Sequence, residues 1–388
     1  MAELQPIRLI LPIESVTHPL TGIGRYTYEL ARGLMAHPSV SGVRLLRHLR
    51  WADPDRLESL AFQVARPQAV ATPYKARDMG WVRTYGRFVS PTLRSLRCLP
   101  FKNHIFHSPN YALPAFVGRS VSTIHDLSVF RHPEFHPDER IAHMRRIFPS
   151  ILRRGDLFIT DSEFSRQEIL DYCGVAEDRV VSVPLGVDPR FRPMEQVDSG
   201  SALQGLGLVP GRYTLSVGTI EPRKNVELLI HAYRSLPIHI RTEYPLVLAG
   251  NQGWNSASIH QEIEAAQSGG WLKYLDYVAE SDLPALYAGA RVFVCVSLYE
   301  GFGLPVLEAM AAGAPVICSN VASLPEVGGG AVKYVDPLNQ EAIRQALIEL
   351  LESDALLPQM RQAGLKRARE FTWSRTVQST VAAYQRLL

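Results

Sequence analysis

Glu300-Gly-Phe-Gly-Leu-Pro-Val-Leu-Glu308 joins the end of an apolar run, Val292–Val296, to the start of a helical one, Leu304–Ala312. A strand, a glycine loop and a helix follow one another within about twenty residues. Pro305 suits a first helical turn, where its missing N–H costs nothing. The spacing puts Glu300 in the loop at the carboxyl edge of a sheet and Glu308 about one turn into the helix. Gly301 and Gly303 let the backbone come close to a ligand, and the amides of Phe302 to Val306, Leu304 included, turn positive dipole toward it. Two acids in an E-x7-E spacing can hold the two ends of one polar ligand.

The same alternation extends outward in both directions. Toward the N-terminus, Ile7–Pro12 reads as a strand, Gly22 and Gly24 as its turn, and Arg25–Ala36 as a helix through Tyr26, Leu30 and Leu34. Ser120–Ile124, Leu157–Thr160 and Val180–Val183 are further strands. Between Pro184 and Pro210 the pattern lapses into Pro, Gly, Ser and acidic residues, as a linker does. It then resumes with strands at Tyr213–Val217, Leu246–Ala249, Val292–Val296 and Val316–Ser319, and helices at Val226–Ser235, Leu304–Ala312 and Ala342–Leu351. Short apolar runs alternating with helices predict parallel sheets covered on both faces. The reading is an α/β chain of two doubly wound, Rossmann-like domains facing a cleft, where such sheets bind ligands.

Taken in order, several stretches resemble the retaining family-4 glycosyltransferases of the GT-B architecture. They are Gly22-Ile-Gly-Arg-Tyr26, His125-Asp126, Thr160-Asp-Ser-Glu-Phe-Ser165, Pro184-Leu-Gly-Val-Asp188, Val217-Gly-Thr-Ile-Glu-Pro-Arg-Lys-Asn225, Leu248-Ala-Gly250 and the E-x7-E element. Phe371-Thr-Trp-Ser374 resembles the start of the family's last helix, which crosses back to the N-terminal domain. The resemblance implies an acceptor domain over 1–186, a nucleotide-sugar domain over 187–370 and a returning helix over 371–388. The pairing of GIGRY with TIHD is similar to bacterial mannosyl- and rhamnosyltransferases of surface polysaccharides, which use GDP-sugars.

That resemblance assigns roles. Glu308 is expected to hold the ribose hydroxyls and Glu300 a hydroxyl of the donor hexose. The amides of Gly22, Gly24 and Arg25 are expected to meet the diphosphate or the acceptor. His125 is expected to bond the hexose and to help move a proton, with Asp126 binding beside it or orienting the loop. Arg223 and Lys224, in a carboxyl-edge loop, can reach the diphosphate as a bidentate fork and a point charge. A common form of the family carries Arg where this chain has Thr219, so the guanidinium has moved to Arg223. The one Asp-x-Asp, Asp53-Pro54-Asp55, lies outside these stretches, and there is no His or Cys cluster at ligand spacing, so neither a metal nor a cofactor is expected; the nucleotide sugar is itself a substrate. Anomeric configuration is expected to be retained.

Composition bounds the alternatives. The chain has 388 residues, 46% hydrophobic and 20% charged, which suits two cores and argues against disorder. No run of 18 apolar residues and no basic n-region appear, so a cytoplasmic protein is expected. Cys98, Cys173, Cys295 and Cys318 are scattered and read as small buried hydrophobes. The net charge of +3 hides a basic first half. Residues 75–102 hold Lys75, Arg77, Arg83, Arg87, Arg94, Arg97 and Lys102 against Asp78 alone. As a helix up to Ser90, the segment would put Trp81, Tyr85 and Phe88 on one face. This suits either peripheral contact with an anionic membrane bearing a lipid-linked acceptor or packing on the N-terminal sheet. No nucleic-acid motif accompanies the charge. A non-transferring enzyme such as a sugar-nucleotide epimerase is the second reading. A periplasmic-type binding protein lacks its signal peptide here. An oxidoreductase fingerprint started at Gly22 and Gly24 would need a third glycine where Thr27 stands.

Overall fold

A computed structural model describes residues 6–62, 92–194 and 196–388. The helix expected up to Ser90 lies outside the described residues. Among the described residues, thirteen strands form two sheets. The first contains β1 (Ile7–Pro12), β2 (Val40–Arg47), β3 (Arg50–Ala52), β4 (Ile105–Ser108), β5 (Ser120–Thr123), β6 (Leu157–Thr160) and β7 (Val180–Ser182), in the order β3-β2-β1-β4-β5-β6-β7. The second contains β8 (Thr214–Val217), β9 (Leu246–Ala249), β10 (Leu272–Tyr274), β11 (Val292–Cys295), β12 (Val316–Ser319) and β13 (Lys333–Val335), in the order β10-β9-β8-β11-β12-β13. All pairings are parallel except β2 with β3.

In each sheet the order reverses at one point, between β1 and β4 and between β8 and β11. At such a point the loops leaving two adjacent strands diverge and open a crevice at the carboxyl edge. The loop that ends at Thr21 leaves β1, the Arg223 loop leaves β8 and the Glu300 loop leaves β11. Strand order thus brings together residues 77 positions apart. The strands β4, β5, β6, β9, β11 and β12 are buried throughout, and one apolar cluster runs from β1 through Phe302 and Phe371 to the last helix.

Two local expectations are corrected. The first helix spans Gly22–Ala36, so Gly22 and Gly24 lie in its first turn and not in a preceding loop. Thr21 starts it by accepting from the Gly24 amide at 3.2 Å. Gly24 is needed there because a Cβ would stand 2.6 Å from the Ser15 carbonyl oxygen. The linker holds a helix, Gln196–Gly205, whose Leu203 is fully buried. Its polar composition conceals that one anchor. The outlying strands β2, β3, β10 and β13 are short or partly exposed, and their mixed patterns carry little apolar signal. The cysteines are free, with Cys173 half-buried and the other three buried.

The last helix, Trp373–Gln385, returns to the first unit. Thr376 Oγ1 donates to the Pro184 carbonyl at 2.8 Å, and Tyr384 bonds the buried His107 ring at 2.5 Å. Where the linker crosses it, a Cβ on Gly186 would lie 2.1 Å from the Trp373 nitrogen. The obstacle is backbone, which cannot rotate away. Gly186→Ala should therefore lower stability by about 1–3 kcal/mol. Gly42→Ala, where a Cβ meets nothing within 4 Å, should change it by less than about 0.5 kcal/mol. Equal denaturation midpoints for the two variants would refute this account of the crossing.

Candidate active site

Three loops from the second sheet and three from the first meet at the paired carboxyl edges. Glu300 sits at the centre with 7% of its side chain exposed. One carboxylate oxygen accepts from Lys224 Nζ at 2.6 Å and Ser297 Oγ at 2.7 Å, and the other from Arg223 at 3.1 Å. Burial opposes ionisation, but Lys224, Arg223 and these bonds outweigh it and hold Glu300 at about 2, below its ordinary 4.5. Arg223 also meets Glu221 at 2.8 Å and the Tyr299 carbonyl at 3.1 Å. Two cations and two carboxylates thus form a neutral quartet. The Pro222–Lys224 turn, ending on Asn225 in the left-handed region at φ 57°, aims both cations inward.

Glu308, on the helix Leu304–Ala312, accepts from Tyr287 Oη at 2.9 Å. Burial raises it to about 7, partly offset by the Tyr287 bond and by Arg190 and Arg25. The two acids of the E-x7-E element therefore differ in charge near neutral pH. Gly303 caps the helix at φ 114°, and a Cβ there would also strike Leu324 at 2.7 Å. The amides of Phe302, Gly303 and Leu304 have no protein acceptor among the described residues. The expected run to Val306 is shorter, since Pro305 has no N–H and the Val306 amide donates to Gly303 at 3.0 Å. The Phe302 ring turns away, against Phe371 at 5.9 Å.

His125 does not offer a free nitrogen to the cleft. Its Nδ1 is 2.7 Å from Asp161 Oδ2 and its Nε2 donates to the Pro109 carbonyl at 2.9 Å. Burial opposes a charge on the ring, but Asp161 and the Pro109 bond prevail and raise His125 above its ordinary value. With both nitrogens engaged, any proton on the ring is held between Asp161 and Pro109 and no nitrogen is free for the substrate in this geometry, against the expected proton-moving role. Asp126 accepts from the Ser128 amide at 3.0 Å and hydroxyl at 2.7 Å, so its carboxylate shapes the loop. Gly301 lies against this loop, where a Cβ would be 2.4 Å from the His125 carbonyl oxygen.

Arg25 is likewise committed. It pairs with Asp188 at 3.2 Å and Glu280 at 2.5 Å, and Arg190 joins both acids. The Gly24 and Arg25 amides are spent on Thr21. Gly22 faces the helix across the cleft, with a Cβ position 3.7 Å from Leu304. Of the basic segment, Arg94 pairs with Glu14 at 2.5 Å and Arg97 lies over the Trp51 ring. These two therefore pack on the domain. No helix of the described residues is long and apolar enough to cross a membrane.

Sequence reasoning does not single out Glu221, Asp161 and Asp188 although each lies inside a stretch that resembles the family; their place within two residues of Arg223, Thr160 and Val187 is the available signal. Glu280 and Tyr287 had none, because only the fold brings them in.

Glu300 supplies a stability test. Its depressed value means that its contribution is complete above about 4.5 and is lost as pH falls towards about 2. Glu300→Gln should cost on the order of 3 kcal/mol at pH 7, with a smaller difference from wild type at pH 3.5. A difference independent of pH would place the carboxylate outside the ion cluster.

Residues 20–191 match the family described as Glycosyltransferase Family 4, and residues 208–367 match Glycosyl transferases group 1. The chain is 36% identical to the O-antigen chain mannosyltransferase B of Escherichia coli over 98% of this chain and all of that one. It is 32% identical to the serotype-specific mannosyltransferase WbdA of Escherichia coli over 73% of this chain and 36% of that protein. Anabaena HepE, solved in complex with UDP and glucose, superposes with a TM-score of 0.75 at 16% identity, covering 98% of this chain and all of that one. The two-sheet fold is therefore GT-B, and the chain belongs to family 4 of the glycosyltransferases.

Proposed function

We propose that this glycosyltransferase moves a hexose from a GDP-sugar to a lipid-linked or polysaccharide acceptor, without a metal and with retention of anomeric configuration. Mannose is favoured over rhamnose. The observation that carries the proposal is the convergence of Lys224 and Arg223 on Glu300 beside the open amides of Phe302 to Leu304. The full-length likeness to an O-antigen mannosyltransferase supports the choice of sugar and of a surface polysaccharide.

The chemistry follows from the quartet. An arriving diphosphate displaces Glu300 from Lys224 and Arg223, adding its oxygens to the amide cluster in a preformed electrostatic site. Glu300, released from its cations, accepts from a hydroxyl of the sugar, and Glu308 accepts from the ribose. The bond from the anomeric carbon to phosphate loosens first, leaving positive charge on the ring. The acceptor hydroxyl adds from the same face, and its proton passes to the departing phosphate oxygen. His125, held by Asp161 and Pro109, fixes the loop against which Gly301 closes. The remaining basic residues of 75–102 would meet an anionic membrane at its cytoplasmic face.

A panel of GDP-, UDP- and dTDP-sugars with a mannan or lipid-linked acceptor tests the reading, with the product anomer read by NMR. Transfer from GDP-mannose with the donor's configuration kept is expected. An inverted product, or turnover of UDP- or dTDP-sugars alone, would overturn it. Release of an epimerised sugar without acceptor would instead make the chain an epimerase.

Two further outcomes follow. Activity should survive EDTA, because Arg223, Lys224 and amide dipoles meet the diphosphate; an activity lost to EDTA and restored only by a divalent cation would contradict this. The raised Glu308 must lose a proton before it can accept from two ribose hydroxyls. The nucleotide Kd should therefore rise by up to about tenfold per unit as pH falls below about 7. Glu308→Gln should bind weakly at every pH without that slope; the same slope in wild type and variant would assign it to another group.

A further inference from the structure

We propose that the first sheet holds, beside β1 and β2, a second, separate pocket for a phosphate ester. A cavity of about 470 Å³ opens there, with Arg8, Arg44, Trp51 and His104 in its lining and no acidic residue among them. Strand register creates it. Arg8 of β1 lies opposite Gly42 of β2, and Ile10 opposite Arg44. Side chains alternate along a strand, so Arg8, Gly42 and Arg44 share one face. Gly42 has no side chain and a Cβ there would meet nothing within 4 Å, which leaves the floor open between two guanidiniums.

Neither arginine has a carboxylate partner among the described residues. Arg44 is held flat, its guanidinium carbon 4.2 Å from the centre of the Phe101 ring and 5.8 Å from that of Trp51. His104 Nδ1 is buried without a hydrogen-bond partner among the described residues. Two planar forks about an open floor match the three oxygens of a phosphate better than the two of a carboxylate. Trp51 and Pro54 add an apolar wall that a bare ion would not use, which points to an ester. The pocket draws on Arg8, near the amino end of β1, and on residues 41–45 of β2. Arg8 precedes Pro12, at the cleft edge, by four residues or about 13 Å of strand. The ligand is thus not the diphosphate of the donor.

A soluble ester and a lipid headgroup share this chemistry, and binding to the full chain separates them. Phenyl phosphate, with phenol and inorganic phosphate beside it, is titrated by calorimetry and by Trp fluorescence. Co-sedimentation compares phosphatidic acid vesicles with phosphatidylcholine vesicles. Binding of phenyl phosphate, tighter than inorganic phosphate and absent for phenol, supports a soluble ligand. Binding to the acidic vesicles without phenyl phosphate binding supports a headgroup. In either case Arg8→Gln/Arg44→Gln should weaken binding at least tenfold. Gly42→Val, which fills the floor and keeps both charges, should do the same. Failure of both probes, or binding that survives Gly42→Val, overturns the proposal.

Discussion

A carboxylate cannot be buried at the end of a parallel sheet unless cations come with it. The cost of stripping water from one charge is several kcal/mol, and removing either partner of a buried pair exposes that cost in full. Glu300 meets this constraint through Lys224, Arg223 and Ser297. The rest of the second domain is arranged so that it can. β8 and β11 must be neighbours for the two loops to converge, and the reversal of strand order must fall between them. Val226–Arg234 must begin directly after Asn225, whose side chain bonds the carbonyls of Val296 at 3.1 Å and Pro337 at 2.7 Å. A neutral quartet is stable without ligand, yet every member can be re-partnered when an anion arrives.

Closure of the two domains obeys the same logic of satisfied polar groups. Ser162 donates to the Gly301 carbonyl at 2.7 Å across the cleft. Glu326 of the second domain accepts from the Glu163 and Phe164 amides, at 2.7 and 2.5 Å, where the helix Glu163–Cys173 begins in the first. A helix start carries positive partial charge, so the contact is electrostatic as well as geometric. Trp254 donates to the Phe135 carbonyl at 2.5 Å, and Arg25 spans to Glu280. These contacts are local and polar, while the continuous apolar packing lies near the linker and the last helix. That division suits a hinge on one side and a mouth on the other.

The sequence revealed the fold largely because parallel strands buried on both faces are short unbroken apolar runs. β1, β6, β9 and β12 stand where those runs stand. β2, β3, β10 and β13 are hidden because they are short or partly exposed: in Val40–Arg47 only Leu45 and Leu46 are buried, and a glycine stands inside. The E-x7-E acids, Arg223 and Lys224 were legible because they follow strands and glycines within a few residues. What spacing could not give was partnership. Nothing in Arg25's neighbourhood announces Glu280, 255 residues away, and nothing in His125 announces that Pro109 and Asp161 would consume both ring nitrogens. A side chain's position along the chain fixes which edge it reaches, and tertiary contacts alone decide whether it arrives free.

The difference between Glu300 and Glu308 shows how one motif yields two chemistries. Both are carboxylates near the same cleft, with seven residues between them. Glu300 meets two cations and stays ionised far below neutrality, whereas Glu308 meets a tyrosine hydroxyl and nearby arginines already paired to Asp188 and Glu280. Because the Arg25 and Arg190 charges are shared with those acids, they ease Glu308's burial only in part. The latch that joins the domains therefore also keeps Glu308 near its point of ionisation. If the latch opens, the arginines are freed and Glu308 gains water, and both changes favour its charged form.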